Sequence, residues 1–586
     1  MSEALLNQAA FALRRGDLGQ AEHCCREVLG RDPRNFEACD ALAAILSRSG
    51  RLAEAAYFFE QALKLNPNDA IARSSYGDVL RAMGRSAEAV EQYDRALRIQ
   101  PDFTDAAISR AAALCAVDRP SEALEGLEPL AGREPRNLFV HYNRSVALVL
   151  LDRFEEAVSA CDAGLAVDPN CADAWHNRGV ALFRLQRFAE ALESYDRAAA
   201  IAPGAAQLHI NRGGALAALA RYPEALAAYD RALALDPNSA YAYFNRGVAL
   251  TEMKRPEDAI ANYESALRLV PNYALAEYNR ALCLLQLGRL EEGVQGYEAR
   301  HRLTPKPVLY PQSLRPGEDI AGKTLLVRGE QGLGDIIQFS RYLRLLQEAE
   351  AKVILSVQPH LVRLLGSLNP RPQIIAWTDV PMAFDHHIAL ESLPGFFHTR
   401  LDTIPASIPY LAAEPALVEK WKQRLGADGF KIGIAWRSSA SGASIGKTFS
   451  PAHFAALSKI PGVRLISLQK TEESAELGDL PPGLTIEQLG PDFDARPDAF
   501  ADSAAVMASL DLVISPDTAI AHLAGALGRP VWTALKYVPD WRWLLDRADT
   551  PWYPTMRLYR QPAPGDWPGL FAEMAAALAT FKGYSQ

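Results

Sequence analysis

Nine prolines, Pro33, Pro67, Pro101, Pro135, Pro169, Pro203, Pro237, Pro271 and Pro305, stand 34 residues apart without exception. A period that strict leaves few ways to fold: each unit is one supersecondary element, too short to bury its own apolar face and obliged to stack on its neighbours. Alanine keeps the same register at Ala21, Ala55, Ala89, Ala123, Ala157, Ala191, Ala225 and Ala259, with Gly293 in the ninth place. An aromatic recurs at Phe59, Tyr93, Tyr195, Tyr229, Tyr263 and Tyr297. A unit such as Ala240 through Pro271 reads as two amphipathic helices, with small residues permitting close approach and proline ending the second.

Period and pattern are those of the tetratricopeptide repeat. Nine units over residues 1–305 are expected to stack into an α-superhelix with a long concave surface. A second periodicity lies on the first helix of the later units: Asn143, Asn177, Asn211, Asn245 and Asn279, each followed by arginine. A side-chain amide offers both donor and acceptor, so a row of them can pair with the backbone of an extended polypeptide without reading its side chains. In this row the array resembles the superhelix of the O-linked N-acetylglucosamine transferase, whose asparagine ladder holds its acceptor. The alternative is that the amides bond across neighbouring repeats and do no recognition.

The formal net charge of −9 and the lack of a Lys/Arg cluster argue against a nucleic-acid partner. No apolar run approaches the ~18 residues of a membrane span. The first helix is broken by polar residues too early for a signal peptide, and a cytoplasmic protein is expected. All seven cysteines lie in the first half without Cys-x-x-Cys spacing; they read as reduced packing residues, and neither a disulfide framework nor a metal site is expected.

The period is lost where prolines crowd, and residues 306–322 read as a linker. A βαβ opening follows: strand Thr324 to Arg328, glycine loop Gly329 to Gly334, a helix from Asp335 to Glu348 with Asp335 and Gln338 as a capping box, then strand Val353 to Val357. Further strands are expected at 372–377 and 385–390, completing a lobe over 323–415. A second α/β lobe, 428–586, begins with strand Lys431 to Trp436 and a hydroxyl-rich loop bounded by Arg437 and Lys447, then strand Arg464 to Gln469. In the stretch Leu510 to Trp532, an apolar strand runs into Ser515-Pro516-Asp517-Thr518, read as a helix start with proline at its first position, and the helix stops at Gly528. The carboxyl end of such a strand, facing a helix N-terminus, is where open α/β sheets bind anionic ligands. Against this stands the plain reading in which Asp517 and Thr518 only cap the helix, His522 packs in the core, and Arg437 and Lys447 are solvated.

Gly332-Leu333-Gly334-Asp335, Ser467 to Lys470, Asp511 to Ser515, Asp517-Thr518 through His522, and Pro539-Asp-Trp-Arg-Trp543 resemble the glycosyltransferases related to the heptosyltransferases, in a bacterial subgroup with N-terminal tetratricopeptide repeats. The resemblance implies a GT-B fold of two Rossmann-like lobes and inverting, metal-independent transfer from a nucleotide-sugar co-substrate, with no other cofactor. It implies Asp335 as general base and Asp517, Thr518 and His522 on the donor; the loop cations Arg437 and Lys447, of the kind needed to neutralise a leaving phosphate, and Gln469 and Ser515 complete the expected donor site. Pro516 and Ala519 depart from the family's pattern. Some members of the subgroup resemble flagellin glycosyltransferases that use a nonulosonic-acid donor such as pseudaminic acid, which makes flagellin a candidate polypeptide partner for the repeat groove. Two other readings stay open: a noncatalytic scaffold with a ligand-binding domain, and an envelope-polysaccharide transferase.

Overall fold

The computed structural model describes residues 2–303, 310–379, 381, 383–437, 446–470, 477, 478, 480–495 and 500–583. It forms two compact units, Met1–Asn238 and Ser239–Gln586. The first consists of helix pairs, beginning with Ser2–Arg14 and Leu18–Arg31 and ending with Ala206–Ala218 and Tyr222–Leu235. The second opens with two more pairs, Ala240–Glu252 with Pro256–Leu269 and Ala274–Gln286 with Leu290–Tyr297. Every pair follows one recipe. The register alanines Ala21, Ala55, Ala89, Ala123, Ala157, Ala191, Ala225 and Ala259 are wholly buried. A glycine of the first helix receives the tyrosine of the second: an added Cβ would lie 2.6 Å from Tyr93 at Gly77, 2.6 Å from Tyr195 at Gly179, 2.5 Å from Tyr229 at Gly213 and 2.6 Å from Tyr263 at Gly247. Arg144, Arg178, Arg212 and Arg280, which follow asparagines of the row, reach back sixteen residues to the preceding repeat, as in Arg178 to Asp162 (2.7 Å) and Arg144 to Glu128 (3.0 Å).

The ninth repeat does not end as a free surface. Its Leu285, Val294 and Tyr297 share one apolar core with Leu325, Val327, Ile336 and Phe339 of the α/β portion. Part of the expected linker, 306–309, lies outside the described residues, but 312–314 run along the first sheet: Leu314 N–H donates to His387 O and His387 N–H to Gln312 O, both at 2.8 Å.

Two parallel sheets follow. In the first, β1 (Thr324–Arg328), β2 (Lys352–Val357), β3 (Gln373–Ala376) and β4 (His386–Ala389) lie in the order β3-β2-β1-β4. In the second, β5 (Phe430–Ile434), β6 (Val463–Ser467), β7 (Ile486–Glu487), β8 (Leu512–Pro516), β9 (Val531–Leu535) and β10 (Met556–Arg560) lie in the order β10-β9-β8-β5-β6-β7. All strands are parallel, and in each sheet the order in which the chain adds strands reverses once, between β1 and β4 and between β5 and β8; at such switch points open α/β sheets leave a crevice at the strands' carboxyl ends. The fold is thus a tetratricopeptide-repeat array followed by two α/β lobes. Among the described residues no helix is long and apolar enough to cross a membrane.

Two local expectations need correction. Helix Leu333–Phe339 starts before Asp335, with Gly332 as N-cap, and passes through the tight turn Ser340–Tyr342 before Leu343–Glu348; Asp335 is the third helical residue, where a carboxylate holds the N-cap N–H from inside the first turn. Pro516 closes β8, paired with Ala534 of β9, and the next helix begins at Ala519 with Thr518 as N-cap. Proline suits that strand end as well as a first helical position because it needs no N–H partner there.

The glycine–tyrosine fit separates two adjacent glycines. Gly213→Ala drives a methyl into the buried Tyr229 ring and should destabilise the array by ~1–3 kcal/mol. Gly214 has nothing within 4 Å of its added Cβ, and Gly214→Ala should stabilise by up to ~1 kcal/mol through helix propensity. Hydrogen exchange over Ala206–Ala218 and Tyr222–Leu235 distinguishes them; shifts of the same sign would refute the packing account.

Candidate functional site

Both switch points open onto one cleft of about 340 Å³, lined by Gln331 and Asp335 of the first lobe, Lys447, Asp517, His522, Lys536 and Val538 to Arg542 of the second, and Thr251, Glu252, Tyr278, Gln286 and Tyr297 of the last two repeats. The glycine loop after β1 carries Asp335 to its edge. Its Oδ2 accepts from the Gly332 N–H (3.0 Å) and its Oδ1 from Nη2 of Arg542 (2.7 Å). Gly334 lets the two lobes meet, since a Cβ there would lie 2.9 Å from His522 Cδ2 and 3.4 Å from the Ala519 backbone.

Arg542 is the group that sequence reasoning missed, although it lies in a quoted motif. It is buried, at 5% exposure. It donates through Nε to Gln338 Oε1 (2.8 Å) and through Nη1 to Asp540 Oδ1 (2.9 Å), and lies over the Trp541 and Phe339 rings. Burial disfavours its charge, but Asp335 and Asp540 outweigh that and raise its pKa well above the ordinary value. A lone arginine between two tryptophans was the available signal. Such a cation needs a buried anion, and Asp335 is one.

In the second lobe Asp517 stands beyond β8. Lys447 Nζ lies 2.6 Å from its Oδ2, and His522 Nε2 is 3.8 Å from Oδ1, too far for a hydrogen bond. Burial pushes the Asp517 carboxyl up, and His522 and Lys447 together more than reverse this, holding it below the usual carboxylate range. Burial lowers Lys447 and Asp517 then Asp540 raise it, with a net upward shift. His522 is fixed by Tyr553, whose hydroxyl lies 3.0 Å from Nδ1, and by stacking on Trp543. The Asp517 carboxylate therefore serves Lys447 and not the helix start, and Thr518, although at the N-cap position, makes no side-chain cap hydrogen bond, its Oγ1 lying 2.9 Å from Ser515 Oγ. Ser515 itself is wholly buried.

Arg437 and Gln469 sit apart at the ends of β5 and β6, where the Arg437 N–H donates to Gln469 Oε1 at 3.4 Å; neither is among the described residues lining the cleft. Residues 438–445 of the hydroxyl-rich loop lie outside the described residues. The asparagines each occupy the sixth position of their helix. In the first unit Asn143 is buried and donates to Phe139 O (2.8 Å), Asn177 donates to Ser145 Oγ of the preceding repeat (3.3 Å), and Asn211 Nδ2 lies 2.7 Å from His176 Nε2. In the second, Asn245 donates to Tyr241 O (2.9 Å), and Asn279 stands near the Tyr263 side chain.

The repeats build one wall of the cleft. Buried Gln286 donates to Pro539 O (2.9 Å), Lys254 lies 3.8 Å over the Tyr537 ring, and Tyr297, stacked on Tyr278 and edge-on to Trp541, exchanges hydrogen bonds with the Gln331 side chain. Under the first lobe's loop lies Glu391, 3% exposed, whose Oε1 accepts from the Glu330 and Gln331 N–H groups at 3.2 and 3.1 Å. Its Oε2 has no hydrogen-bond partner among the described residues. Burial, reinforced by the charge of Asp335, pushes the carboxyl up to about 7.

Sequence comparison bears on this geometry. Tetratricopeptide-repeat profiles match residues 6–70, 46–116, 142–206, 215–254 and 240–273, and glycosyltransferase family 9 (heptosyltransferase) matches 396–535. The first half of the chain thus matches tetratricopeptide repeats and part of the second half matches glycosyltransferase family 9. The family 9 match takes in Lys447 and Asp517 to His522 and leaves out Asp335, Glu391's loop partners and the Lys536 to Trp543 segment. Protein FlbA of Caulobacter vibrioides is 29% identical over 287 residues, 45% of this chain and 48% of that protein, so the match spans about half that relative's length. Among solved structures, YrrB, a TPR protein with an unusual peptide-binding site, is 20% identical over 38% of this chain and 98% of its own, with a TM-score of 0.25. MamA from Desulfovibrio magneticus RS-1 is 22% identical over 29% of this chain and 97% of its own, with a TM-score of 0.28.

The raised Glu391 carboxyl has a checkable consequence. Its folded pKa of about 7 lies above the ordinary 4.5, so the unfolded chain loses this proton first and the native protein loses stability as pH rises between those values. Glu391→Gln keeps the acceptor for both loop N–H groups and removes the titration. The variant should match the native protein near pH 4 and gain on it through pH 7, reaching about 3 kcal/mol at pH 8. Thermal unfolding across that range measures it, and a pH-independent offset would contradict the assignment.

Proposed function

We propose that this protein is a glycosyltransferase that moves a sugar from a nucleotide-sugar donor to a hydroxyl of a polypeptide bound by the repeats. The observation that carries the reading is that one cleft brings together Asp335 from the first lobe, the Asp517 to His522 segment and Lys447 from the second, and side chains of the last two repeats. The donor's nucleotide lies at the second lobe's switch point, where the N-terminus of helix Ala519–Ala526, without a side-chain cap, meets the phosphates. The sugar faces the first lobe. Asp335 retains free lone pairs on both carboxylate oxygens to take the acceptor's proton, and a single displacement inverts the anomeric centre without a metal. Through the resemblance of the repeat-bearing subgroup, flagellin is the first acceptor to test and a nucleotide-linked nonulosonic acid the first donor. The family 9 domain's heptosyltransferase description favours a second reading, with an envelope saccharide as acceptor.

Incubating the protein with both acceptor classes and a nucleotide-sugar panel, and following acceptor mass, decides among these. A sugar-sized increment on polypeptide supports the proposal, an increment on saccharide alone supports the second reading, and none on either leaves a binding scaffold. Asp335→Asn should lower turnover ~10²–10⁴-fold; the amide oxygen can still accept from Arg542, whose charge stays paired with Asp540, so melting temperature and nucleotide affinity are measured beside turnover to separate a lost base from a weakened ion pair, and near-native turnover would return Asp335 to an ion-pairing role.

The asparagines can be tested in pairs. Each backbone amide bond is worth ~0.5–1.5 kcal/mol net, so Asn245→Ala with Asn279→Ala, or Asn177→Ala with Asn211→Ala, should each weaken polypeptide capture about tenfold or more. Donor hydrolysis should be unaffected. Undiminished capture, with loss on replacing Trp175, Tyr241 and Phe244, would assign recognition to the aromatics.

A further inference from the structure

Two carboxyl groups attend the glycine loop Gly329 to Gly334. Asp335 lines the cleft, whereas Glu391, in the turn Leu390–Ser392 after β4, is not among the described residues lining it. The two oxygens of Glu391 are used unequally. Oε1 accepts from both the Glu330 and the Gln331 N–H, at 3.2 and 3.1 Å, while Oε2 is buried and has no hydrogen-bond partner among the described residues. Burying an oxygen without a partner costs stability, so what this side chain contributes is the reach of Oε1. Consecutive N–H groups converging on one oxygen form a seat for an anion, and the glycine loop between a first parallel strand and its helix is where many α/β folds seat a phosphate. Here the occupant is a side chain of the protein itself.

The held peptides adjoin the one that fixes Asp335. Gly332, whose N–H donates to Asp335 Oδ2 at 3.0 Å, directly follows Gln331. The other anchors act elsewhere on the loop: the Gly329 N–H donates to Ser356 O (3.0 Å), Gln358 Nε2 to Gln331 O (3.4 Å), and the Gln331 side chain exchanges hydrogen bonds with the Tyr297 hydroxyl. None of these takes up the Glu330 or Gln331 N–H. On its far side Asp335 is drawn by Arg542, 2.7 Å from Oδ1, so its carboxylate is set between a guanidinium of the second lobe and a loop whose backbone Glu391 holds from below.

Resting on the reading of Asp335 as the base, we infer that Glu391 is a positioning residue for the transfer: its Oε1 fills the anion seat at the head of the glycine loop and so keeps the Gly332 N–H, and with it the Asp335 carboxylate, in line with the acceptor hydroxyl. The requirement is for an oxygen at that reach and not for a charge.

Two substitutions separate reach from charge. Glu391→Gln keeps an oxygen at the same distance and removes the charge; Glu391→Asp keeps the charge and withdraws the oxygen by one methylene. Hydrogen exchange on the full chain should find the Gly329 to Gly334 amides as protected in Glu391→Gln as in the native protein, and faster to exchange in Glu391→Asp. Transfer is then measured well below the melting temperatures, with flagellin and a nucleotide-linked nonulosonic acid or whichever pair of the panel above reacts. Glu391→Asp should lower kcat ~10–10²-fold, the scale of a misplacement of about 1 Å, with the donor KM within about twofold, while Glu391→Gln stays within about threefold of native. Native kcat in Glu391→Asp would leave Glu391 a support of the fold alone, and an equal loss in both variants would assign the effect to charge; either result overturns the positioning role and leaves Asp335 to its own test. Unchanged exchange in Glu391→Asp overturns it without any substrate. If the native protein transfers to no acceptor, the reading of Asp335 fails and the positioning role with it.

Discussion

A guanidinium withdrawn from water must be surrounded by acceptors, and Arg542 is surrounded from both lobes. Asp335 and Gln338 come from the first, Asp540 from the second, and two aromatic faces cover what remains. Removing one partner of such a buried pair costs ~3–5 kcal/mol because the other charge is left uncompensated. This interaction holds the glycine loop of the first lobe against the segment after β9, and the contact of Gly334 with His522 depends on that registration. Asp335 is thereby placed across from Asp517 without either carboxylate touching the other's cation. The site's geometry is set by charge pairing between lobes more than by either sheet alone.

The repeats show how one residue type can serve two purposes. Asn177 and Asn211 use their amide N–H groups on the preceding repeat, at Ser145 and His176, so these side chains already contribute to repeat-to-repeat register. An amide has two donors and two acceptor lone pairs, which leaves capacity for a ligand. Asn143, buried and bonded to its own helix, has much less. Arg144, Arg178, Arg212 and Arg280, which follow asparagines of the row, are ion-pair partners of the preceding repeat, each worth little singly, and account for the Asn-Arg pairing at those places without reference to a ligand.

Legibility in the sequence followed the range of the interactions involved. The repeat period, the alternation of strand and helix, and the glycine loop are local patterns, and β1 occupies Thr324–Arg328 as its apolar run implies. Helix starts were read less well because Asp335 and Asp517 satisfy capping rules while serving partners elsewhere: Arg542, 207 residues away, for the first, and Lys447 for the second. Glu391 carries no local pattern at all. Its character comes from what surrounds it in space, a buried loop. Most of the fold is therefore written in short-range spacing, whereas the charge balance of the site is not.

The ninth repeat contributes Leu285, Val294 and Tyr297 to the same core as β1, and Gln286 fixes the backbone at Pro539. An array of identical-length blocks invites gain and loss of blocks during evolution, since each block contacts chiefly its neighbours. That freedom is not evenly distributed here. A block inserted or deleted among the early repeats keeps every interface of the same kind, whereas replacing the ninth would require a new surface matched to the α/β lobes. Change in the length of the array is thus expected in its upstream blocks, while the ninth repeat and the α/β lobes are inherited as a single piece.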